Sequence, residues 1–372
     1  MEHISDFKIH KFRGLRDLKI EKLGQINLFV GNNNSGKTSV LEAASIFCEP
    51  FNWRRWYEVA SQRESAGLRL STVDRLIWLF PQEAVDDRQK VSSEDAEISL
   101  FASGSFPIEE MSASYEKFTE IINMTRSSLK LEDGAEEREI EVEGVRVNVF
   151  ISGTYLSLFG NELPTKETLT FTDRNPITVS KQPIPTLPVQ LVNQLSHRTG
   201  GLTSALWSDV VEANLKSETI ELMRFFDPAI QDVDYIAPTE GRQLLSVKHR
   251  RLGRAPLTTF GDGLRRAFTL ATSIPRARNG LLLIDELETA IHTKALEKTF
   301  DWLIKACIRY NVQLLATTHS LEALDAVLEV SRERADLVVY RLQQDKEQTN
   351  VTRFDKEMTL RLREELGMEL RY

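Results

Sequence analysis

Cysteine is nearly absent: Cys48 and Cys307 are the only two in 372 residues, and they lack metal-ligand spacing. This excludes a disulfide framework and suits a reducing compartment, so a cytoplasmic protein is expected. Long apolar runs are missing too. No stretch approaches the roughly 18 residues that a membrane-spanning helix requires, and no membrane association is expected. The opening stretch MEHISDFKIHKF holds no apolar segment of the kind a secretory signal needs. There is no internal repeat, no low-complexity tract and no long heptad run, which excludes a coiled-coil arm. An excess of positive charge is also lacking. With 47 basic and 55 acidic residues the net charge is -8, which weighs against the whole surface being a nucleic-acid platform but leaves a local basic face open. What remains is the composition of a soluble globular protein, 41% apolar and 27% charged, in a chain long enough for two or three lobes.

Against this background the octet Gly31-Asn32-Asn33-Asn34-Ser35-Gly36-Lys37-Thr38 stands out. It matches the phosphate-cradling pattern of a glycine, four residues, then Gly-Lys-Ser/Thr. Gln25 to Val30 reads as a short buried strand before it, and Thr38 to Phe47, with Ser39 at its start, as a helix after it. A strand, a tight loop and a helix N-terminus are what phosphate binding requires, because backbone N–H groups converge there and the helix end adds partial positive charge. Gly31 and Gly36 permit backbone conformations that a Cβ would block. Lys37 can reach the β- and γ-phosphates, and the Thr38 hydroxyl can ligate Mg²⁺.

Further along, Leu281 to Ile284 reads as a buried strand that ends in Asp285 and Glu286. Carboxylates at the C-terminal end of a strand sit where α/β sheets bind ligands. Asp285 is expected in the Mg²⁺ shell, and Glu286 to polarise the attacking water. Val312 to Ser320 reads as another buried strand, delivering His319 to the same edge as a group that reports the γ-phosphate. In Leu257 to Arg266 (LTTFGDGLRR) a Thr/Gly-rich turn opens a basic helix, a second phosphate-binding device. The first loop already holds the phosphate, so this turn is expected to serve a partner subunit. The plainer alternative is a helix cap built on Thr259 or Asp262. Glu288 and His292 read as an i, i+4 pair on the helix after the carboxylates. They are open to a metal, to a contact near a dimer seam, or to a plain surface helix.

The order of segments predicts a split nucleotide-binding core: residues 1–50, then 231–372 with short strands alternating with helices in a parallel sheet. Between them residues 51–230 form an inserted lobe. Within it, Phe51 to Phe80 reads as helical, Ala96 to Phe171 (AEISLFA, EREIEVEG, VRVNVFISG, YLSLFG) as β-rich, and Leu191 to Phe226 as helices, with Pro183, Pro185 and Pro188 marking a connector. Trp53, Trp56, Tyr57 and Trp78 near Arg54 and Arg55 are expected to pack one lobe on another rather than to stack on bases. Lys248, His249, Arg250, Arg251 and Arg254 make either a DNA-binding stripe or a solvated hairpin beside the site.

Taken together these stretches resemble the ABC-type ATPase heads, within them the SMC/RecF/OLD branch, and more closely the stand-alone OLD-like AAA family ATPases of prokaryotes. FRGLRDLKI, INLFVGNNNSGKTSVLEA, PLTTFGDGLRRAFTLA, LLLIDELETAIH, LLATTHSLE and LREELGMELR carry the likeness. It implies an α/β P-loop fold of ABC-ATPase type, with a parallel core sheet, an antiparallel β lobe and a helical insertion. It also implies ATP and Mg²⁺ as ligands. Lys37, Thr38, Asp285 and Glu286 would hold and hydrolyse the nucleotide, His319 would be the switch histidine, and Arg13 would lie near the nucleotide. Thr259, Gly261, Asp262 and Gly263 would act on ATP held by another subunit, which implies a homodimer or multiples of dimers. The turn TTFGDG departs from the Leu-Ser-Gly-Gly signature of transporters. The Q-loop glutamine has no clear position in the sequence, and Gln82 is a candidate for it. The stretch after His319 is too short for the TOPRIM nuclease domain of OLD nucleases. The function expected is an ATP-driven switch that controls a separate effector in anti-phage defence, with a RecF-like DNA clamp as the alternative.

Overall fold

The computed structural model describes residues 2–63, 70–82, 96–124, 138–154, 165–173, 184–199, 204–236, 244–333, 336–345, 348–365 and 367–370. A hairpin of β1 (Asp6–Phe12) and β2 (Leu15–Ile20) precedes β3 (Ile26–Gly31) and α1 (Lys37–Cys48). Then come α2 (Trp53–Ser61), α3 (Thr72–Ile77), β4 (Ile98–Ser103), β5 (Ile108–Met124), β6 (Arg138–Gly153) and β7 (Thr165–Thr172). The chain continues through β8 (Val189–Val192), α4 (Ser196–Thr199), α5 (Ser204–Glu212), α6 (Lys216–Phe226), β9 (Ile230–Ile236), β10 (Leu244–His249) and β11 (Gly253–Pro256). Last are α7 (Asp262–Arg276), β12 (Leu281–Ile284), α8 (Thr293–Arg309), β13 (Gln313–Thr317), α9 (Leu321–Ser331), β14 (Leu337–Asp345), β15 (Gln348–Asp355) and α10 (Lys356–Glu364).

The central sheet has the order β15-β14-β3-β13-β12-β8. All its pairings are parallel except that of β14 with β15. Its central strands β3, β13 and β12 are buried along their whole length because both faces are covered. Leu281 and Leu283 of β12 pack into one core with Phe29, Val338 and Tyr340. Leu282 and Ile284 pack into the opposite core with Ile26, Leu28, Val30, Phe268 and Phe300. The alternation along each strand therefore divides the protein into two hydrophobic layers. On one side, α1 is wedged between the parallel sheet and an antiparallel sheet of order β2-β1-β4-β5-β6-β7. Wedging explains why α1 is buried on nearly every face, from Ser39 to Cys48. Phe47 meets Phe7 of that second sheet edge to face at 5.6 Å. On the other side lie α7, α8 and α9. The expected α/β class, a parallel core sheet beside an antiparallel β lobe, is thus what the structure shows.

Two expectations change. The segment after Gln231 does not begin as a parallel sheet: β9, β10 and β11 form a three-stranded antiparallel sheet. The turn between β10 and β11 is far too short for the crossover that parallel pairing demands. Leu191 and Val192 are not helical but belong to β8, which completes the central sheet beside β12. The sheet itself supplies what that short apolar run needed, a hydrogen-bonding neighbour. Strands of the 51–230 segment take part in both large sheets: β4 pairs with β1, and β8 with β12. YLSLFG and Pro183 fall outside the described residues. Of the aromatic group, Trp56 is fully buried and stacks on Phe80 at 6.3 Å, whereas Trp78 is 55% exposed. Among the described residues no helix is long and apolar enough to cross a membrane.

Leu283 lies at the middle of the sheet with no exposed surface. Leu283→Ala is expected to lower stability by about 3 kcal/mol. The check is the midpoint of chemical denaturation; an unchanged midpoint would show that this layer is not packed as described.

Candidate functional site

Parallel strands end at one sheet edge, and loops leaving them converge there. β3 runs directly into the Gly31–Gly36 loop. Gly31 has φ +139°, and a Cβ on it would stand 2.1 Å from the Leu342 carbonyl oxygen. Gly36, at φ +90°, caps α1 and would place a Cβ 2.5 Å from Leu15 Cδ2. Both positions are therefore closed to any other residue. Lys37 folds back over the loop, donating to the carbonyl oxygens of Gly31 (2.8 Å) and Asn32 (2.7 Å). Burial lowers its pKa, and the negative charges of Asp285, Glu286 and Glu288 oppose that shift.

Asp285 is the meeting point. Thr38 Oγ1 donates to its two carboxylate oxygens at 3.0 and 3.1 Å. Thr317 Oγ1, at the end of β13, donates to Oδ1 at 2.7 Å. The same hydroxyl accepts the backbone N–H of Glu286 at 2.8 Å. Glu286 has a left-handed φ of +49°, a conformation that bends the chain sharply and turns its side chain away from Asp285. Thr289 Oγ1 holds Glu286 Oε2 at 2.9 Å, and Glu286 Oε1 lies 3.8 Å from His319 Nδ1. His319 is half exposed at the cleft.

The cleft has a volume of about 830 Å³. Arg13, Asn33, Asn34, Ser35, Gly36, Lys37, Thr38, Ser39, Asp285, Glu286 and His319 all line it. Gly31 and Asn32 stand behind it as acceptors for Lys37. The structure does not bring Thr259, Gly261, Asp262 and Gly263 to this cleft. Gly261, not Thr259 or Asp262, is the cap of α7, and no side chain caps the helix. Thr259 Oγ1 instead donates to the Pro256 carbonyl at 2.7 Å. Asp262 accepts from Arg198 Nε at 2.9 Å, and that guanidinium holds its carboxyl below the usual range.

Two other expectations are corrected. Glu288 and His292 are not on a helix. They lie in the loop before α8, where His292 Nδ1 caps the helix by accepting from the Lys294 N–H at 3.2 Å. Among the described residues no group of three potential metal ligands includes them. Gln82 donates to the carbonyls of Ile77 and Phe80, both at 3.0 Å, and does not line the cleft. Gln194, two residues past the end of β8, does. It was concealed because the segment that holds it read as helix. In the basic segment Lys248, Arg250, Arg251 and Arg254 are exposed on the β10–β11 hairpin. His249 is not part of that stripe: it is buried, with Nε2 3.1 Å from Asp227 Oδ2. Its Nδ1 accepts the N–H groups of Arg251 and Leu252.

Sequence reading missed three further residues. Glu42, fully buried on α1, forms ion pairs with Arg13 (Nε at 2.8 Å) and Arg63 (Nη2 at 2.7 Å). Arg63 also reaches Ser39 Oγ at 2.9 Å. The third is Arg266 on α7, which has no exposed surface. It donates to the carbonyls of Asn193 (2.6 Å), Asp285 (3.2 Å) and Glu286 (3.1 Å). Burial pushes its pKa down to about 10, so it remains charged at neutral pH. One guanidinium thus ties α7, the segment after β8 and the end of β12 together, using the several donors that only arginine offers.

Comparison with known proteins gives a consistent picture. A family model described as "AAA domain, putative AbiEii toxin, Type IV TA system" matches residues 26–325. An ATP/GTP phosphatase of Helicobacter pylori is 22% identical over 348 residues, covering 89% of each chain. The DNA replication and repair protein RecF of Saccharophagus degradans is 34% identical over 76 residues, 20% of this chain and 21% of that one. Among solved structures, an SMC head bound to the C-terminal winged-helix domain of ScpA superposes with a TM-score of 0.51 at 12% identity. It covers 96% of this chain and 100% of that one. The fold is therefore that of an ABC-type ATPase head.

Arg266→Met would leave three carbonyl oxygens without their donor. A stability loss of about 3 kcal/mol is expected, with no recovery in Arg266→Lys, whose single ammonium lacks the fork. Thermal melting of both variants checks this; a wild-type melting temperature in either would refute it.

Proposed function

The chain belongs to the AAA domain family matched over residues 26–325, and on that premise we propose that it hydrolyses ATP with Mg²⁺ at a site completed by a second copy of itself. It is an ATPase, and the observation that carries the residue roles is the contact of Thr38 Oγ1 with Asp285 at 3.0 Å. These residues lie 247 positions apart, at the floor of a cleft that Lys37, Glu286 and His319 also line.

A hydroxyl and a carboxylate are a donor set that fits Mg²⁺, a hard cation that takes few protein ligands and completes its shell with water and phosphate oxygens. When bound, the metal neutralises charge on the β- and γ-phosphate oxygens. Lys37 leaves its loop carbonyls for the phosphates. Glu286 is the general base: its backbone is fixed by Thr317 and Arg266, one carboxylate oxygen is held by Thr289, and the other is left to orient water. His319 stands beside it to sense the γ-phosphate. Arg13, anchored on Glu42, borders the nucleotide. Thr259, Gly261, Asp262 and Gly263 lie outside their own cleft, which supports a role on the nucleotide of a partner copy. On this reading 51–230 is an insertion between the two parts of the ATPase core, 1–50 and 231–372. ATP-driven association and its release by hydrolysis make a two-state switch. The proposed setting is the prokaryotic cytoplasm, in an OLD-like anti-phage system where the switch controls a separate effector. The toxin named in the matched family's description fits such a conflict role.

A second reading has its own observation. Lys248, Arg250, Arg251 and Arg254 are exposed on a hairpin that leads directly into Leu257 and α7. The same cations would suit a RecF-like clamp on DNA.

Lys37→Ala is expected to cut ATP turnover by at least about 100-fold. Glu286→Gln should still bind ATP and accumulate as a dimer, seen as a doubled particle mass. Unchanged hydrolysis in both variants would end the reading. Changing Arg250, Arg251 and Arg254 together to Ala distinguishes the alternatives. A DNA clamp would lose affinity and show a shallower salt dependence, whereas no DNA binding at low salt in the parent protein removes the clamp.

A further inference from the structure

Glu288 lies two residues beyond the proposed base, in the loop between β12 and α8. This loop is tightly folded. Glu286 and Ala290 both have left-handed φ, +49° and +64°. The Thr289 N–H bonds to the Glu286 carbonyl, and the Ile291 N–H to that of Glu288, both at 3.0 Å. The loop is also held from outside, because a Cβ on Gly263 of α7 would stand only 3.0 Å from the Ala290 carbonyl. In this fold the Glu288 side chain turns inward, with only 14% of it exposed.

There it reaches the neighbouring loop. Glu288 Oε1 accepts the backbone N–H groups of His319 and Ser320, each at 3.2 Å. The Ser320 N–H is shared with Thr318 Oγ1 at 3.1 Å. Glu288 Oε1 also lies 3.5 Å from His319 Nδ1. Its Oε2 is buried with no hydrogen-bond partner among the described residues, so one acceptor oxygen carries all of these contacts. Glu286 Oε1 approaches the same imidazole nitrogen, at 3.8 Å. His319 Nδ1 therefore faces two carboxylates of one loop, and only Glu288 also holds its backbone.

We propose that Glu288 is a positioning residue for hydrolysis: through Oε1 it fixes the start of the loop after β13, and so sets His319 against Glu286. The proposal rests on the ATPase reading of the cleft for the role of His319. Glu288 does not line the cleft, so it acts on the rate of the reaction and not on nucleotide affinity. What the loop uses is the acceptor oxygen at its present reach, not the negative charge. Misplacement of a reacting group by about 1 Å can cost as much as 100-fold in rate, which sets the scale of the expected effect.

Three variants of the full chain test this. Glu288→Ala removes the acceptor, Glu288→Asp keeps the charge but is one methylene shorter, and Glu288→Gln keeps an oxygen at the same reach. For ATP, KM is expected to stay within about twofold in all three. The kcat should fall at least about tenfold in Glu288→Ala and Glu288→Asp, and stay within about threefold of the parent in Glu288→Gln. A full rate in Glu288→Ala or Glu288→Asp, a KM increase that accounts for the whole loss, or a Glu288→Gln variant as slow as Glu288→Ala would overturn the proposal. A second measurement needs no turnover: hydrogen–deuterium exchange at the His319 amide should quicken about tenfold in Glu288→Ala but not in Glu288→Gln. Unchanged exchange in Glu288→Ala sinks the proposal even if the protein hydrolyses ATP. If the parent protein does not hydrolyse ATP, the functional reading fails while the exchange result still decides the role of Glu288 in the loop.

Discussion

The Asp285 carboxylate is the constraint on which the rest depends. It is 6% exposed, and a buried charge is tolerated only where it is well partnered. Its partners come from two different connections of the sheet: Thr38 opens the helix after β3, and Thr317 closes β13. Side-by-side parallel pairing of β3, β13 and β12 brings these three chain ends to one edge. A shift of one residue in any of these pairings would turn the hydroxyl to the wrong face of the sheet. Fold and site are in this sense one arrangement.

The end of β12 is built under strain, and the surrounding groups offset it. A non-glycine residue in the left-handed region costs of the order of 1–3 kcal/mol, and Glu286 and Ala290 both adopt it. The gain is directional. The bend separates Glu286 from Asp285, so two consecutive carboxylates meet different partners. Thr317 Oγ1 holds the Glu286 N–H and Arg266 holds its carbonyl, which fixes the strained peptide from both sides. Arg266 extends from α7 and also grips Asn193, so α7 is joined by hydrogen bonds to both the segment after β8 and the backbone of the two carboxylates.

The antiparallel sheet does more than bulk out the molecule. Its β1–β2 turn carries Arg13, which itself has φ +48°, to the mouth of the cleft. There the buried Glu42 neutralises two guanidinium groups. Burial lowers the Arg13 pKa while Glu42 acts against that shift. The second sheet thus reaches the cleft through Arg13 and Leu15, and α1, wedged between the sheets, supplies the counter-charge to Arg13.

Much of this was legible in the residues themselves. The phosphate loop, the strand ending in Asp285 and Glu286, and the strand ending before His319 are local patterns. A buried parallel strand must be apolar along its length, and glycine alone fits at Gly31 and Gly36. The order of these segments along the chain was enough to indicate the ATPase head fold. What stayed hidden depended on neighbours distant in sequence. β8 is only four residues long and became a strand because β12 offers its edge. β9 to β11 turned antiparallel because of a short connection whose hairpin is held by the buried His249. Glu42, Arg63 and Arg266 each look like ordinary helix or loop charges, and Glu288 reads only as a partner for His292, since ion pairing and burial leave no periodic trace. Local spacing determined which groups this protein brings to the cleft; tertiary packing alone decided which charges hold them there, because a hydrogen bond across hundreds of residues exists only once the sheet has closed the distance.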